Sequence, residues 1–329
     1  MAEQRGAPRR VTSVDVAREV GLSRTTVSYV LNRDPRQTIP DSTRQRVLDA
    51  AARLGYKPYG PARLLRGAKS SVVLMFTPGL ERAADFVSTA IITQLGAALA
   101  EHGLHLVWQL GDVDDSGPSA DLAPVVVLSS AAEGDPVYDG LRGHFNVPVL
   151  SAYPGLDSFI ASGANTQVEH LAGRGRRGLV YVMPDRDDLA AVSETRWHAV
   201  VSSAARLDLP LPLRLKLSGD RPTAAAQLSD FLARNPDVDG ACAFNDEVAF
   251  GVLAAAADAA IAVPERLAVI GIDNHPFGSL AIPALSTVQS DVTDFVATFA
   301  ESIARIAKGD PPLVVAMPDH AQPVRRSTT

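Results

Sequence analysis

An arginine, a threonine and a tyrosine form an exposed polar face on a short predicted helix near the start of the chain. These three residues, Arg24, Thr25 and Tyr29, do not contribute to a hydrophobic core, whereas Val27 on the same helix is apolar. The first 70 residues carry 14 Lys+Arg against 6 Asp+Glu, a net charge of +8. A hydrogen-bonding face in so basic a segment is typical of contact with DNA. A solubilising basic tail and an ordinary small helical bundle are the alternatives, and the sequence favours DNA binding.

Two polar side chains follow predicted strands in the acidic remainder of the chain. Asn245 comes directly after a strand that ends at Phe244, and Asp273 directly after one that ends at Ile272. Ligands of open parallel sheets bind beyond the carboxyl ends of the strands. Amide and carboxylate groups suit ligand hydroxyls, which both donate and accept hydrogen bonds. A helix cap is the competing interpretation for Asn245 and Asp246, and we expect it for Asp246.

Other motifs indicate neither catalysis nor a cofactor. The run from Gly173 to Gly178 formally matches the dinucleotide fingerprint, but a helix precedes it and a strand follows it, the reverse of the order that phosphate binding needs. The seven histidines show no metal-ligand spacing, and no nucleophile motif is present. We therefore predict a protein that is not an enzyme and that carries no cofactor and no metal.

Length and composition bound the class of protein. The chain has 329 residues, 46% hydrophobic, with a net charge of −6, and about 150 residues per domain suggests roughly two domains. A single cysteine, Cys242, excludes an internal disulfide framework. The first ten residues have no hydrophobic core, and no apolar run reaches the length of a membrane span. We expect a cytoplasmic protein that has no membrane partner.

The basic head is predicted to form a helix-turn-helix followed by a third helix. Thr12 and Asp15 form a capping box, Gly21 can take the left-handed conformation that ends a helix, and Ser23 can cap the second helix. Ala17, Gly21 and Val27 have the spacing that the packing of two such helices requires. The third helix follows Pro40 and ends at Gly55; its inward-facing residues are predicted to be Val47, Leu48, Ala51 and Leu54.

The acidic body alternates β-branched runs with helical patterns, which predicts two parallel sheets with helices on both faces and a cleft between them. The predicted strands are Val72–Phe76, Leu104–Trp108, Val125–Leu128, Val147–Leu150, Leu179–Met183, Leu213–Leu217, Ala241–Phe244 and Leu267–Ile272.

A family resemblance then becomes specific. Residues 11–32, with the continuation through Leu54-Gly55-Tyr56-Lys57-Pro58 and Ala62-Arg63-Leu64-Leu65-Arg66, closely resemble the headpiece of the lac-repressor (LacI/GalR) family. The body resembles that family's periplasmic-binding-protein-like core at residues 244–253, 263–273 and 283–288. The resemblance implies a disordered basic tail (1–10), a headpiece (11–57), a hinge helix and linker (58–70), and a core with chain crossovers that binds effector and dimerises (71–329).

The resemblance also implies roles for individual residues. Positions that read base edges are Arg24, Thr25 and Tyr29, where an arginine can pair with guanine O6 and N7. Positions that bind phosphate or cap helices are Thr12, Ser13, Ser23, Thr26, Ser28 and Asn32. Positions of the minor-groove hinge are Ala62, Arg63 and Leu65, where Leu65 would wedge into a base step and kink the duplex. Positions that bind effector are Arg196, Arg221, Asn245 and Asp273.

The resulting prediction is a transcriptional regulator, expected to be a repressor, that binds a pseudopalindromic operator as a homodimer and is located in the cytoplasm, at the nucleoid when DNA-bound. Its effector would be a sugar or related metabolite. Arg221 stands near a position that often carries an aromatic residue in the family, and together with Arg196 it allows an anionic ligand such as a sugar phosphate or carboxylate. The alternatives are a solute-binding component built on the same core and a degenerate regulator whose cleft binds nothing.

Overall fold

The computed structural model describes residues 11–31, 39–56, 70–77, 86–110, 122–131 and 133–329. The chain divides into two compact units, Met1–Lys69 and Ser70–Thr329, which we call the N-terminal and C-terminal units. The predicted basic tail (1–10) and all but the last residue of the predicted hinge segment (58–70) lie outside the described residues.

The N-terminal unit contains α1 (Ser13–Val20), α2 (Arg24–Leu31) and α3 (Asp41–Leu54). The Thr12 backbone N–H and hydroxyl both donate to Asp15 Oδ2, at 2.8 and 2.7 Å, so the predicted capping interaction is present. Gly21 and Gly55 end α1 and α3 with φ of 66° each, a conformation that glycine adopts without a steric penalty. The predicted helix boundaries are thus confirmed.

The core of the N-terminal unit lies between its helices. Its buried members are Val16, Ala17, Val20, Val27, Val30, Val47, Ala50 and Ala51. The prediction that Leu48 faces inward is wrong, because its side chain is 43% exposed. Successive helical residues are rotated by about 100°, so a buried stripe centred on Val47, Ala50 and Ala51 turns Leu48 towards solvent. Arg46 Nη2 donates to the carbonyl of Val20 at 2.9 Å, which fastens α3 to the end of α1.

The C-terminal unit alternates strands and helices along the chain. Its strands are β1 (Val72–Thr77), β2 (His105–Leu110), β3 (Val126–Ser129), β4 (Val149–Ser151), β5 (Leu179–Pro184), β6 (Leu213–Leu217), β7 (Gly240–Ala243), β8 (Ala268–Ile270), β9 (Thr287–Gln289) and β10 (Gln322–Val324). Its helices are α4 (Phe86–Glu101), α5 (Pro136–His144), α6 (Leu156–Gly173), α7 (Ala190–Arg206), α8 (Arg221–Arg234), α9 (Asp246–Asp258) and α10 (Thr293–Lys308).

Two four-stranded parallel sheets organise this unit, as the sequence predicts. The first has the strand order β2-β1-β3-β4 and the second the order β6-β5-β7-β8. We call the layers around them the first and second subdomains. The central strands are buried on both faces, which explains their continuous apolar sequence.

The chain passes between the subdomains more than once. Phe295, Phe299 and Ile303 of α10 share a core with Val73 and Met75 of β1, so this late helix packs in the first subdomain. The last residues return to the second subdomain, where Thr328 accepts a hydrogen bond from the backbone N–H of Val269 at 2.9 Å. The two subdomains are therefore joined by several crossings rather than by a single linker.

All eight predicted strands are present, with ends that differ by at most two residues. The sequence analysis missed β9 and β10, which form a short antiparallel pair of three residues each. Such short segments carry too few residues to show an alternating pattern. In the ranges that the structure describes, no helix is both long and apolar enough to cross a bilayer.

Candidate functional site

The predicted reading helix, α2, presents its polar side chains away from the core. Val27 and Val30 are buried, whereas Arg24 and Thr25 are exposed and Tyr29 is half-buried. Thr25 and Tyr29 are four residues apart and therefore share one helix face, and Arg24 occupies the first position of the helix. The helix thus carries a polar surface on a rigid apolar support.

Several of the predicted phosphate-contacting residues also hold helix ends. Ser23 Oγ accepts from the backbone N–H of Thr26 at 3.0 Å and lies 2.9 Å from the hydroxyl of Thr26. Ser23 therefore caps α2, and Thr12 is engaged with Asp15 in the cap of α1. Ser13 and Ser28 are half-buried. Asn32, Ala62, Arg63 and Leu65 lie outside the described residues, and their roles stay predictions.

The C-terminal unit has two cavities beside its candidate ligand-binding residues. The first, about 240 Å³, lies between the subdomains and is lined by α4, the start of α6, Arg196 and segments 272–274 and 288–292; we call it the cleft cavity. The second, about 320 Å³, lies at the ends of β5, β6 and β7 and is lined by both Arg221 and Asn245; we call it the strand-end cavity. The structure thus brings Arg196 and Asp273 together and separates them from the other two.

Arg196 lies in the wall of the cleft cavity with only 8% of its surface exposed. Its Nη1 donates to the carbonyl of Phe244, and its guanidinium carbon lies 4.3 Å from the centroid of the Phe244 ring. Its buried Nε has no hydrogen-bond partner. No carboxylate of the described residues pairs with it. The side chain is therefore a buried cation held by a neutral carbonyl and a ring, with one donating edge unused.

Asp273 stands on a loop of unusual backbone conformation. Its φ is 105° and that of Asn274 is 49°, both in the region that non-glycine residues rarely adopt. Asn274 Nδ2 donates to Gln289 Oε1 at 2.8 Å, and Arg326 Nη2 donates to Asn274 Oδ1 at 2.7 Å. These contacts fix the loop that lines one side of the cleft cavity.

Asp246 holds the loop that carries Asp273 through buried hydrogen bonds, a role that the sequence analysis missed. It is 1% exposed, its Oδ1 accepts from Thr287 Oγ1 at 2.6 Å, and its Oδ2 accepts from the His275 backbone N–H at 2.7 Å. The expectation that Asp246 caps the helix is wrong. Asn245 is the cap of α9, because its Oδ1 accepts from the Val248 N–H at 2.9 Å. Side-chain chemistry alone could not decide which of two adjacent capping residue types faces the helix.

Burial raises the pKa of Asp246 to about 6, although the hydrogen bonds from Thr287 and His275 and the charge of Arg326 lower it in part. A carboxyl whose folded-state pKa exceeds its unfolded value near 3.9 stabilises the fold below pH 4 and loses that stabilisation as the pH rises through 6. Asp246→Asn cannot ionise, so we expect it to remove this loss. The difference in the free energy of unfolding between the variant and the wild type is then expected to change by about 2–3 kcal/mol between pH 4 and pH 7.

Urea unfolding at four pH values, followed through the fluorescence of Trp108 and Trp197, measures this difference. Asp258→Asn is the control, because the adjacent Arg221 lowers the pKa of Asp258 and its stabilisation is lost in the opposite direction, as the pH falls. Parallel pH profiles for wild type and Asp246→Asn would contradict the assignment.

Both predicted ligand-binding residues that line the strand-end cavity already interact with other residues of the protein. Arg221 donates to both carboxylate oxygens of Asp258, at 2.7 and 2.8 Å, and its side chain is 64% exposed. The Oδ1 of Asn245 is used in the cap of α9. The charge of Arg221 is therefore compensated within the protein, and of the two arginines that suggested an anionic ligand only Arg196 lacks an ion-pair partner.

The glycine-rich run before β5 is a structural turn. It joins α6 to β5, the order that excludes a phosphate-binding fingerprint. Arg176 Nη2 donates to the carbonyl of Pro264 at 2.7 Å, and Asp239 Oδ1 accepts from the backbone N–H groups of Arg177 and Gly178 at 3.0 Å each. The interpretation of this run as a basic helix-to-strand turn is confirmed.

Two family models match the chain. Residues 13–59 match the model for bacterial regulatory proteins of the lacI family, and residues 168–329 match that for a periplasmic binding protein-like domain. The HTH-type transcriptional regulator GntR of Pseudomonas aeruginosa is 26% identical over 85% of this chain and 84% of its own length. Catabolite control protein A of Priestia megaterium is 26% identical over 86% of this chain and 89% of its own.

Solved structures show the same fold. A Lac repressor dimer bound to operator and the anti-inducer ONPF superposes with a TM-score of 0.74 at 22% identity, covering 97% of this chain and 99% of that one. The first of these two relatives is named as a transcriptional regulator.

Proposed function

Because the chain belongs to the lacI family of bacterial regulatory proteins and is thereby a DNA-binding transcriptional regulator, we propose that it is a repressor that binds a pseudopalindromic operator as a homodimer. A small molecule in the cleft cavity would set its affinity for DNA. The observation that carries the proposal is α2, whose exposed Arg24, Thr25 and half-buried Tyr29 stand on a packed helix-turn-helix within a segment of net charge +8.

Base recognition would come from the exposed face of α2 in the major groove. Arg24 at the first helical position has the reach and the planar donor pair for guanine O6 and N7, and Tyr29 supplies one hydroxyl. The backbone N–H groups and hydroxyls at the helix starts would bind phosphates and fix the register. In the hinge segment, Ala62 and Arg63 would contact the minor groove and Leu65 would wedge into the central base step.

An exposed apolar cluster after β8 supports a homodimer. Phe277, Leu280 and Ile282 lie within six residues and are 64%, 74% and 93% exposed. Soluble proteins seldom leave such a cluster in water, because burying it against a partner is favourable. Among the relatives by structure, the Lac repressor is a dimer on its operator. A second copy of this chain is therefore the partner that we assign to the cluster.

We expect Ile282→Asp to weaken dimerisation at least tenfold, because the interface would then have to bury an unpaired carboxylate. Light scattering on a concentration series measures the dissociation constant. Leu211→Asp is the matched control, since Leu211 is 73% exposed but precedes β6, at the opposite edge of the second sheet. Equal dissociation constants for both variants and the wild type would show that the cluster is not part of the dimer interface.

The cleft cavity could couple a ligand to DNA because both subdomains line it. Ile91 of α4 belongs to the core of the first subdomain, and Ile272 to that of the second. A ligand that contacts both walls favours the spacing at which both contacts form. The coupling is reciprocal, so an effector that lowers DNA affinity must itself bind less tightly to the DNA-bound protein.

Selection of bound sequences from a random DNA pool, with purified full-length protein at fixed salt, tests the proposal. We expect a palindrome with two half-sites and a preferred flexible central step. Enrichment of a single half-site would contradict the homodimer. Recovery of no sequence above background would contradict sequence-specific binding by the free protein.

A further inference from the structure

Arg196 lines the cleft cavity with one edge of its guanidinium unpaired. Its Nη1 is committed to the Phe244 carbonyl, whereas Nε is buried without a partner and Nη2 has no hydrogen bond to any described residue. Nε–H and Nη2–H point in parallel from one edge of a guanidinium and match the two oxygens of a carboxylate. A buried cation without an anion is costly, and a carboxylate at this edge would relieve the cost.

Other polar groups of the same cavity offer less. Asn274 and Gln289 hydrogen-bond to each other at 2.8 Å, and the remaining oxygen of Asn274 accepts from Arg326. Asp273 also lines the cavity. Arg196 is therefore the group on this side of the cavity that favours a carboxylate.

Most of the opposite wall is apolar. Gln94 of α4 also lines the cavity, but the rest of this wall is formed by Val87, Ala90 and Ile91 of α4 together with Phe159 and Ile160 of α6. A hydroxyl pressed against these side chains would lose its hydrogen bonds to water and gain none. This wall therefore disfavours a polyhydroxylated sugar and favours a hydrocarbon surface.

We propose that the effector is a monocarboxylate with a compact apolar body, which places its carboxylate on the Nε–Nη2 edge of Arg196 and its body against α4. The proposal rests on the assignment of the cleft cavity as the effector site. A cavity of about 240 Å³ is larger than one that holds benzene, roughly 150 Å³. It suits an aromatic or branched acid the size of phenylacetate or 4-methylpentanoate.

Thermal unfolding of the full-length protein with graded concentrations of these two acids tests the proposal, because a ligand of the folded state raises Tm with concentration. Phenylacetamide is the control for charge, since it has nearly the shape of phenylacetate without the charge. Gluconate is the control for the apolar body, since it has the carboxylate with a polyhydroxylated chain. We expect at least one of the two acids to raise Tm and to bind at least tenfold more tightly than either control.

Two variants locate the binding. Arg196→Met is expected to abolish the shift, whereas Arg221→Met, which removes the ion-paired arginine of the other cavity, leaves it intact. Should Arg196→Met fail to fold, Ala90→Leu provides a second test, because the half-buried Ala90 lines the cavity, so that a larger side chain there fills it and leaves Arg196 untouched. Binding that survives in Ala90→Leu or in folded Arg196→Met would overturn the proposal.

The compound panel also separates this proposal from the proposed function. Stabilisation by gluconate or glucose, but not by the two acids, would overturn the monocarboxylate and leave a ligand-controlled regulator. The absence of stabilisation by any compound would also overturn the monocarboxylate proposal. Operator selection by the same preparation would in that case still establish sequence-specific DNA binding. Loss of operator selection with intact acid binding would overturn the DNA-binding proposal alone.

Discussion

Arg24→Ala is expected to weaken binding to the selected operator at least about 30-fold and to relax the base preference at one position of each half-site. A bidentate arginine–guanine pair contributes about 1–3 kcal/mol of discrimination, and a homodimer makes the contact twice, which gives about 2–6 kcal/mol. Because the side chain is exposed and does not belong to the core of the unit, we expect the helix-turn-helix to stay folded without it.

Arg53→Ala is the matched control for charge. It removes one positive charge from the same unit, but Arg53 pairs with Glu19 across α1 and α3, at 3.3 Å. Fluorescence anisotropy with operator DNA and with scrambled DNA, each at two salt concentrations, separates the two effects. The base-reading role predicts a large loss on operator and a small loss on scrambled DNA for Arg24→Ala. Equal losses on both DNAs would make Arg24 a phosphate contact.

Gly271→Ala is expected to lower the free energy of unfolding of the C-terminal unit by about 3 kcal/mol. A methyl group at this position would lie 1.9 Å from Asp246 Oδ1 and 3.1 Å from Asp246 Cα. To make room, Asp246 must move, and it would then lose its hydrogen bonds to Thr287 and to the His275 N–H. Overpacking of a buried site and loss of a buried network each cost about 1–3 kcal/mol.

Gly251→Ala provides the contrast within the same subdomain. Its methyl group would meet the nearest side-chain atom, Leu217 Cδ2, at an ordinary 3.5 Å, and alanine is favoured over glycine inside a helix by about 0.5–1 kcal/mol. We therefore expect a neutral or slightly stabilised protein, and urea unfolding measures both variants. A Gly271→Ala protein as stable as the wild type would show that the contact between Gly271 and Asp246 is not a tight one.

The helices of the N-terminal unit could be predicted because their signals lie close together in the sequence. The capping pair Thr12 and Asp15, the turn glycines and the apolar spacing are all encoded within a few residues, so the three helices and most of their core follow from the sequence. Leu48 is the exception, because only the orientation of α3 against α1 and α2 shows that the buried stripe ends beside it.

In the C-terminal unit, the sequence by itself determined the eight strands of the two parallel sheets, because a strand buried on both faces is a continuous apolar run. Only the tertiary structure decided how the four predicted ligand-binding residues are grouped. Arg221 is neutralised by Asp258, 37 residues away, and Asn245 is used as a cap. Arg196 is oriented by a carbonyl 48 residues away. The reason is physical: whether a polar side chain is available to a ligand depends on partners brought to it by folding, and no local pattern records them.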